Sequence, residues 1–406
     1  MKNIRSEEFN HKERIFMKMK YFKIDIILLL IMFLFVQSFS QKLWAEDDDS
    51  RSSDSVDTHG FLGQAFTKSI QNNYLNNSIL GSFEFTEGGF NLTKTLADNF
   101  KIGGQLFVYR IGTLGNFAAQ FDWLTADYFW KEQLSFRFGR NKIPMGFYNE
   151  VSDADTGRAA VLLPQSVYPL ADRNFLFAQD GVELYGNFRL GSPGRIEYRL
   201  YGGTLFYDLS AVSSSSITVS QTNVPYVYGG RLLWESQNSA LRAALSGQSF
   251  QLNLNYTIAG ITSNIQLPAT LALGSVEYNT RNFTFTGEYG QWWVGFNSSS
   301  SIFPAGSVIS DRGYVQVDYN GIEKIIPGIY YAVLHSDITN PNVPGGFQND
   351  VATYVRFDVT KNWFCKVEYH SMNGTAYLDP TINNNQALSA LNPNWGILLL
   401  KTTAYF

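Results

Sequence analysis

The chain has 406 residues, of which 45% are hydrophobic, 16% aromatic and only 16% charged, against roughly 25% charged in ordinary soluble domains. Low charge together with 32 Phe, 23 Tyr and 8 Trp excludes disorder, which needs the reverse composition. The one long apolar run, Ile26 to Val36, falls short of the roughly 20 residues that a membrane-crossing helix requires, so a polytopic helical protein is excluded and a soluble β protein or a membrane β-barrel remains.

Residues 1–45 read as a secretory signal, with Lys18, Lys20 and Lys23 before the apolar run and small residues at Ser38, Ser40 and Ala45 for cleavage. These 45 residues hold 8 of the 31 Lys and Arg and 4 of the 35 Asp and Glu, so the remainder carries net −8. No basic cluster suits nucleic acid. Residues 46–58, acidic and Ser-rich, read as a periplasmic lead-in. Cys365 is the only cysteine, so no intramolecular disulfide or CxxC pair exists.

From 59 to 406 the chain alternates apolar and polar positions over segments of about 9–13 residues. In 195–200, Arg195, Glu197 and Arg199 share one face, and Ile196, Tyr198 and Leu200 the other. In 363–370, Trp363, Cys365, Val367 and Tyr369 oppose Phe364, Lys366, Glu368 and His370. The pattern predicts sixteen strands. The first half holds 60–70, 79–95, 100–112, 117–130, 133–142, 179–190, 195–207 and 226–235. The second holds 240–250, 268–278, 283–294, 312–320, 328–336, 350–360, 362–372 and 395–406. Every second connection is short; the others are mostly long, including 143–178, 208–225, 251–267 and 373–394. Aromatic residues crowd the strand ends. Alternating short and long connections with aromatic girdles are features of transmembrane antiparallel β-barrels. An even strand count places both ends in the periplasm, and the export signal directs the chain to the outer membrane. Its last strand ends at Phe406, a terminal aromatic of the kind read by the barrel-assembly machinery. Expected surroundings are membrane lipid and lipopolysaccharide.

The longest connection, 143–178, is the third on the external side, after 71–78 and the short 113–116. The stretch FRFGRNKIPMGFYNE, ending at Glu150, is followed by LLPQSVY at 162–168 and DGVELYG at 180–186. These motifs resemble the constriction region of Gram-negative porins related to the phosphate-selective porins O and P. The resemblance covers about 133–186. It implies a sixteen-stranded, water-filled, commonly trimeric outer-membrane channel whose third external loop folds inward. It does not imply phosphate selectivity, because Lys is sparse.

Charge gives these residues further roles. Arg137, Arg140, Arg189, Arg195, Arg199, Arg231, Arg242 and Arg356 all fall on predicted strands. At the midplane of the lipid face an arginine costs about 2–4 kcal/mol, so most are expected to face the lumen. The connection carries Glu150, Asp153, Asp155, Arg158, Asp172 and Arg173. Together with Arg137, Arg140, Arg195, Glu197 and Arg199 these form the candidate set of constriction and lumen charges, an arginine wall facing an acidic loop. Catalytic and metal-binding material is thin. The four histidines form no HExxH or HxxxH pair, and no metal or cofactor is expected. His370 shares its face with Glu368 and Lys366, which a hydrated lumen wall explains better than acid–base catalysis. The expected function is passive diffusion of small hydrophilic solutes and ions. The alternative is an adhesin or structural barrel with a plugged lumen.

Overall fold

A computed structural model of the protein describes residues 56–206, 218–258, 261–298 and 305–406. The signal expected over 1–45, and 46–55 of the lead-in, lie outside these residues. The last three lead-in residues are already sheet: β1 (Val56–Ile70) begins with Val56 opposite Lys94.

The first half continues with β2 (Ser82–Ala97), β3 (Phe100–Ile111), β4 (Gln120–Lys131), β5 (Leu134–Lys142), β6 (Ala178–Gly191), β7 (Gly194–Thr204), β8 (Thr218–Asn223) and β9 (Val227–Glu235). The second half comprises β10 (Leu241–Ile258), β11 (Ile261–Asn279), β12 (Phe283–Ser298), β13 (Gly306–Tyr319), β14 (Ile325–His335), β15 (Phe347–Thr360), β16 (Trp363–Gly374) and β17 (Asn394–Tyr405). Each pairs antiparallel with its neighbours. β1 closes on β17 through an unbroken register from Phe61↔Tyr405 to Ile70↔Gly396. Closure leaves no sheet edge, the condition for crossing hydrocarbon with strands. Both β8 and β9 pair with β10, so they form one stave interrupted at 224–226, where Pro225 lacks the N–H a ladder needs. The barrel therefore has sixteen staves, each overlapping one of the sixteen predicted segments.

Two connections differ from expectation. Residues 251–258 and 261–267 are sheet, not loop: β10 and β11 remain paired from Gln251↔Pro268 to Ile258↔Ile261. Their outward Gln251, Asn253 and Asn255 read as loop composition, yet Leu252 and Tyr256 alternate with them and are buried. Within 208–225, β8 is likewise sheet.

The faces are inverted relative to a soluble protein. Leu106, Leu124, Phe138, Leu232, Leu245 and Val315 are large, apolar and exposed, as a lipid-facing band requires. Aromatics gather at the end with short turns, where Phe188 stacks on Tyr198, and Trp130 on Phe136. Inward positions carry charge near the turns. Farther from the turns they carry a buried apolar belt, continuous from β7 through β17 to β3. Its members include Tyr201, Phe250, Trp292, Tyr330, Leu399 and Phe107.

Candidate functional site

What fills the barrel is the connection between β5 and β6. Its only α-helical turn is α1 (Arg173–Leu176). Residues 159–163 and 166–168 within it are almost wholly buried, and its hydrogen bonds reach strands far around the ring. Only a segment crossing the enclosed space can do this.

Glycines set its path. Gly139 has φ +113, and a Cβ there would lie 2.2 Å from the Leu124 carbonyl oxygen. Gly146 has φ +58, and a Cβ would lie 2.2 Å from the Tyr168 hydroxyl and 2.5 Å from Glu288. Both positions favour glycine on backbone and steric grounds. They are the two glycines of the motif on which the resemblance rests. At Gly146 the chain passes close enough for the Phe147 N–H to donate to Glu288 of β12 at 2.9 Å.

Buried carboxylates then hold the segment to the wall. Glu288 also accepts from Tyr168 at 2.5 Å, Tyr314 at 2.8 Å and Ser275 at 2.5 Å. Glu368 of β16 accepts the N–H groups of Val161 at 2.5 Å and Leu162 at 3.0 Å. His370 stands between Glu368 at 2.7 Å and Asp350 at 3.0 Å. Asp155 pairs with Lys366 at 2.7 Å and Lys401 at 3.1 Å, accepts from Thr403 at 2.6 Å, and lies 3.4 Å from Arg158. Asp153 pairs with Lys142 at 2.8 Å and accepts from Gln105. Arg173 donates to Asp122 at 2.8 Å and lies over the Phe107 ring. Burial alone would raise the carboxyls of Asp153 and Asp155. Lys142 and Arg173 around the first, and Lys366, Lys401 and Arg158 around the second, outweigh it and hold both well below the usual carboxylate range.

The arginine wall meets the loop at one acid only. Glu150 pairs with Arg199 and, at 2.8 Å, with Arg231. Arg199 also pairs with Glu183 at 2.6 Å, Arg137 with Asp127 at 2.7 Å, and Arg231 with Glu197 at 3.0 Å. Arg195 is inward but exposed at the turn end, paired with Glu235 at 2.7 Å. Arg158 is spent within the segment, donating to the Ser152 and Val161 carbonyls. Asp172 is exposed, with Arg312 nearby.

Arg140 is on the other side. It pairs at 3.2 Å with Asp180, which is exposed, and neighbours the exposed Phe138 and Val182. The physical reason is parity: Arg137 and Arg140 are three residues apart, and an odd spacing exchanges faces. The partners of Asp153 and Asp155 are lysines, which the reading from sequence overlooked. Lys401 was legible, because it alternates with Ile397, Leu399 and Thr403, all buried. The expected hydrated wall around Lys366, Glu368 and His370 is instead a covered one. All three are inward but 0–1% exposed, because the segment packs on them.

Two cavities remain between segment and wall near the turns. One, of about 280 Å³, is lined by Thr93, Lys101, Trp123, Thr125, Asp127, Arg137, Lys142 and Glu150 among others. The second, of about 290 Å³, lies against β10–β15, with Tyr148, Arg158, Arg242, Glu277, Thr284 and Arg356.

No family model matches the chain, and no curated protein does. Solved structures do. Outer-membrane expressed OmpT of Vibrio cholerae is 11% identical with a TM-score of 0.57, over 88% of this chain and 99% of that one. The outer membrane channel DcaP of Acinetobacter baumannii is 12% identical, TM-score 0.54, over 88% and 99%. An anion-selective porin from Comamonas acidovorans is 12% identical, TM-score 0.52, over 87% and 99%. The fold is that of outer-membrane channel barrels.

Proposed function

We propose that the protein is an outer-membrane channel, exported through the periplasm, that passes small hydrophilic solutes and ions by diffusion and is narrowed by the segment at 143–178. The observation that carries this reading is the inversion of faces in a closed sheet: an apolar exterior encloses a wall bearing Arg137, Glu183, Arg199, Arg231 and Glu277. Such a wall suits water and polar solutes and rejects apolar ones. The proposal extends to a homotrimer in lipid and lipopolysaccharide, assembled through recognition of Phe406. Kinship with the phosphate-selective porins rests on the motif around Gly139 and Gly146.

The extent of burial inside the barrel favours a second reading, a structural or adhesive barrel with a plugged lumen. Planar-bilayer recording separates the two. The channel reading expects small, regular current steps from the wild type and larger ones after deletion of 150–175. Steps from the deletion variant alone favour the plug. Silence from both overturns the channel.

A further inference from the structure

The apolar belt inside the barrel has one gap. Among the described residues of β4, β5 and β6, the only buried apolar side chain is Ala178, at the first position of β6. Inward positions there include Asp122, Asp127, Arg137, Asn141, Gln179 and Glu183, with Trp123, Thr125 and Tyr185 only partly covered between them. The other staves each place at least one buried apolar residue against the segment or against the loops beside it. Elsewhere in the belt the buried polar groups, such as Glu288, Glu368 and His370, are already bonded to the segment or to one another among apolar side chains, so an ion would have to shed water without free groups to replace it. Along β4–β6 it would meet mainly charged, amide and hydroxyl groups, with Trp123 and Tyr185 among them.

The 280 Å³ cavity lies on this same strip. Its turn-side lining includes Lys101, beside the short turn after β2, for which no ion pair is found among the described residues. Toward the loops the cavity stops at Lys142, the last residue of β5. Lys142 is there part of a closed network. It pairs with Asp122 of β4 and with Asp153 of the segment; Asp122 also receives Arg173 of the segment, and Asp153 receives Gln105 of β3. All five side chains are 8% exposed or less. The network balances two cations against two anions, and it joins wall to segment at the one place where no apolar contact does so.

We propose that permeation follows this polar strip along β4–β6, off the barrel axis, and that the network of Asp122, Lys142, Asp153 and Arg173 is its gate. The inference rests on the channel reading. A small ion or strongly polar solute passes when Asp153 and Arg173 part from the wall, because it can exchange partners with the groups they leave. Apolar solutes have no such exchange. The rest of the circumference stays sealed by side-chain packing.

Current in planar bilayers, with Cys365→Ser in every protein compared, tests the gate and the route. Lys142→Ala with Asp153→Ala removes one charge of each sign, and its conductance is expected to rise several-fold over the wild type. In that open background, Thr125→Cys lines the strip and Thr284→Cys the second cavity. A bulky charged thiosulfonate is expected to block the first and leave the second unaffected. Block at Thr284→Cys, or no block at Thr125→Cys, overturns the route. An unchanged conductance in the double variant, while deletion of 150–175 conducts freely, overturns the gate and leaves the channel standing. Silence from the deletion variant removes both.

Discussion

Replacing Asp155 by Ala is the sharpest test of whether the segment seals the wall. Asp155 is 2% exposed and sits between two ammonium groups, Lys366 and Lys401, whose side chains are 0% exposed. Removing the carboxylate strands them unequally. Lys401 keeps Glu87 at 2.6 Å. Lys366 keeps no carboxylate, only the carbonyl oxygens of residue 155 at 2.8 Å and Ala160 at 3.0 Å and the face of the Phe364 ring. Removing one partner of a buried pair costs about 3–5 kcal/mol. Since one lysine remains paired, the lower end applies, about 3 kcal/mol, or roughly two powers of ten in the folding equilibrium. Urea unfolding in lipid vesicles measures it. The double variant Asp155→Ala with Lys366→Met removes the stranded charge and is expected to recover at least half. A loss below about 1 kcal/mol, the range of hydrated pairs, would refute the reasoning. It would mean that water reaches both lysines.

Four further outcomes are expected. Arg137→Ala with Arg199→Ala shifts the reversal potential in a low-salt gradient toward cations, whereas Arg140→Ala leaves it unchanged because that side chain pairs outside with Asp180. Cys365 alternates with the buried Lys366 and sits beside the exposed Trp363 and Val367, so in vesicles it resists a water-soluble maleimide and reacts after denaturation. Gly139→Ala forces a side chain onto a backbone at φ +113 and lowers stability by about 1–3 kcal/mol, read by the same urea assay. Because the Asp153 carboxyl is held below its unfolded value of about 3.9, its stabilisation is complete above that value and lost as pH falls through the folded one. The stability difference between wild type and Asp153→Asn is therefore constant from about pH 8 to 5 and shrinks only below about pH 4.

The barrel follows from local pattern in the chain. Alternation at period two, with apolar residues on the outward positions, is a local property of each strand, and it located all sixteen staves. It also placed Cys365, Lys366, Glu368 and His370 on their correct faces, because parity within one strand needs no knowledge of its neighbours. The motif with Gly139 and Gly146 singled out the segment that enters the barrel. Where parity was overlooked, as at Arg140, the reading failed for a reason visible in the sequence. Tertiary structure alone decided which charges meet. Asp155 finds Lys366 and Lys401 from more than 200 positions away, and no local pattern encodes that distance. It also decided how dry the interior is. Charged residues facing inward are equally compatible with an open pore and with a covered wall. Only the packing of residues 159–168 against the opposite strands takes Glu288, Lys366 and His370 out of water, leaving β4–β6 as the stretch of the belt without apolar packing beyond Ala178.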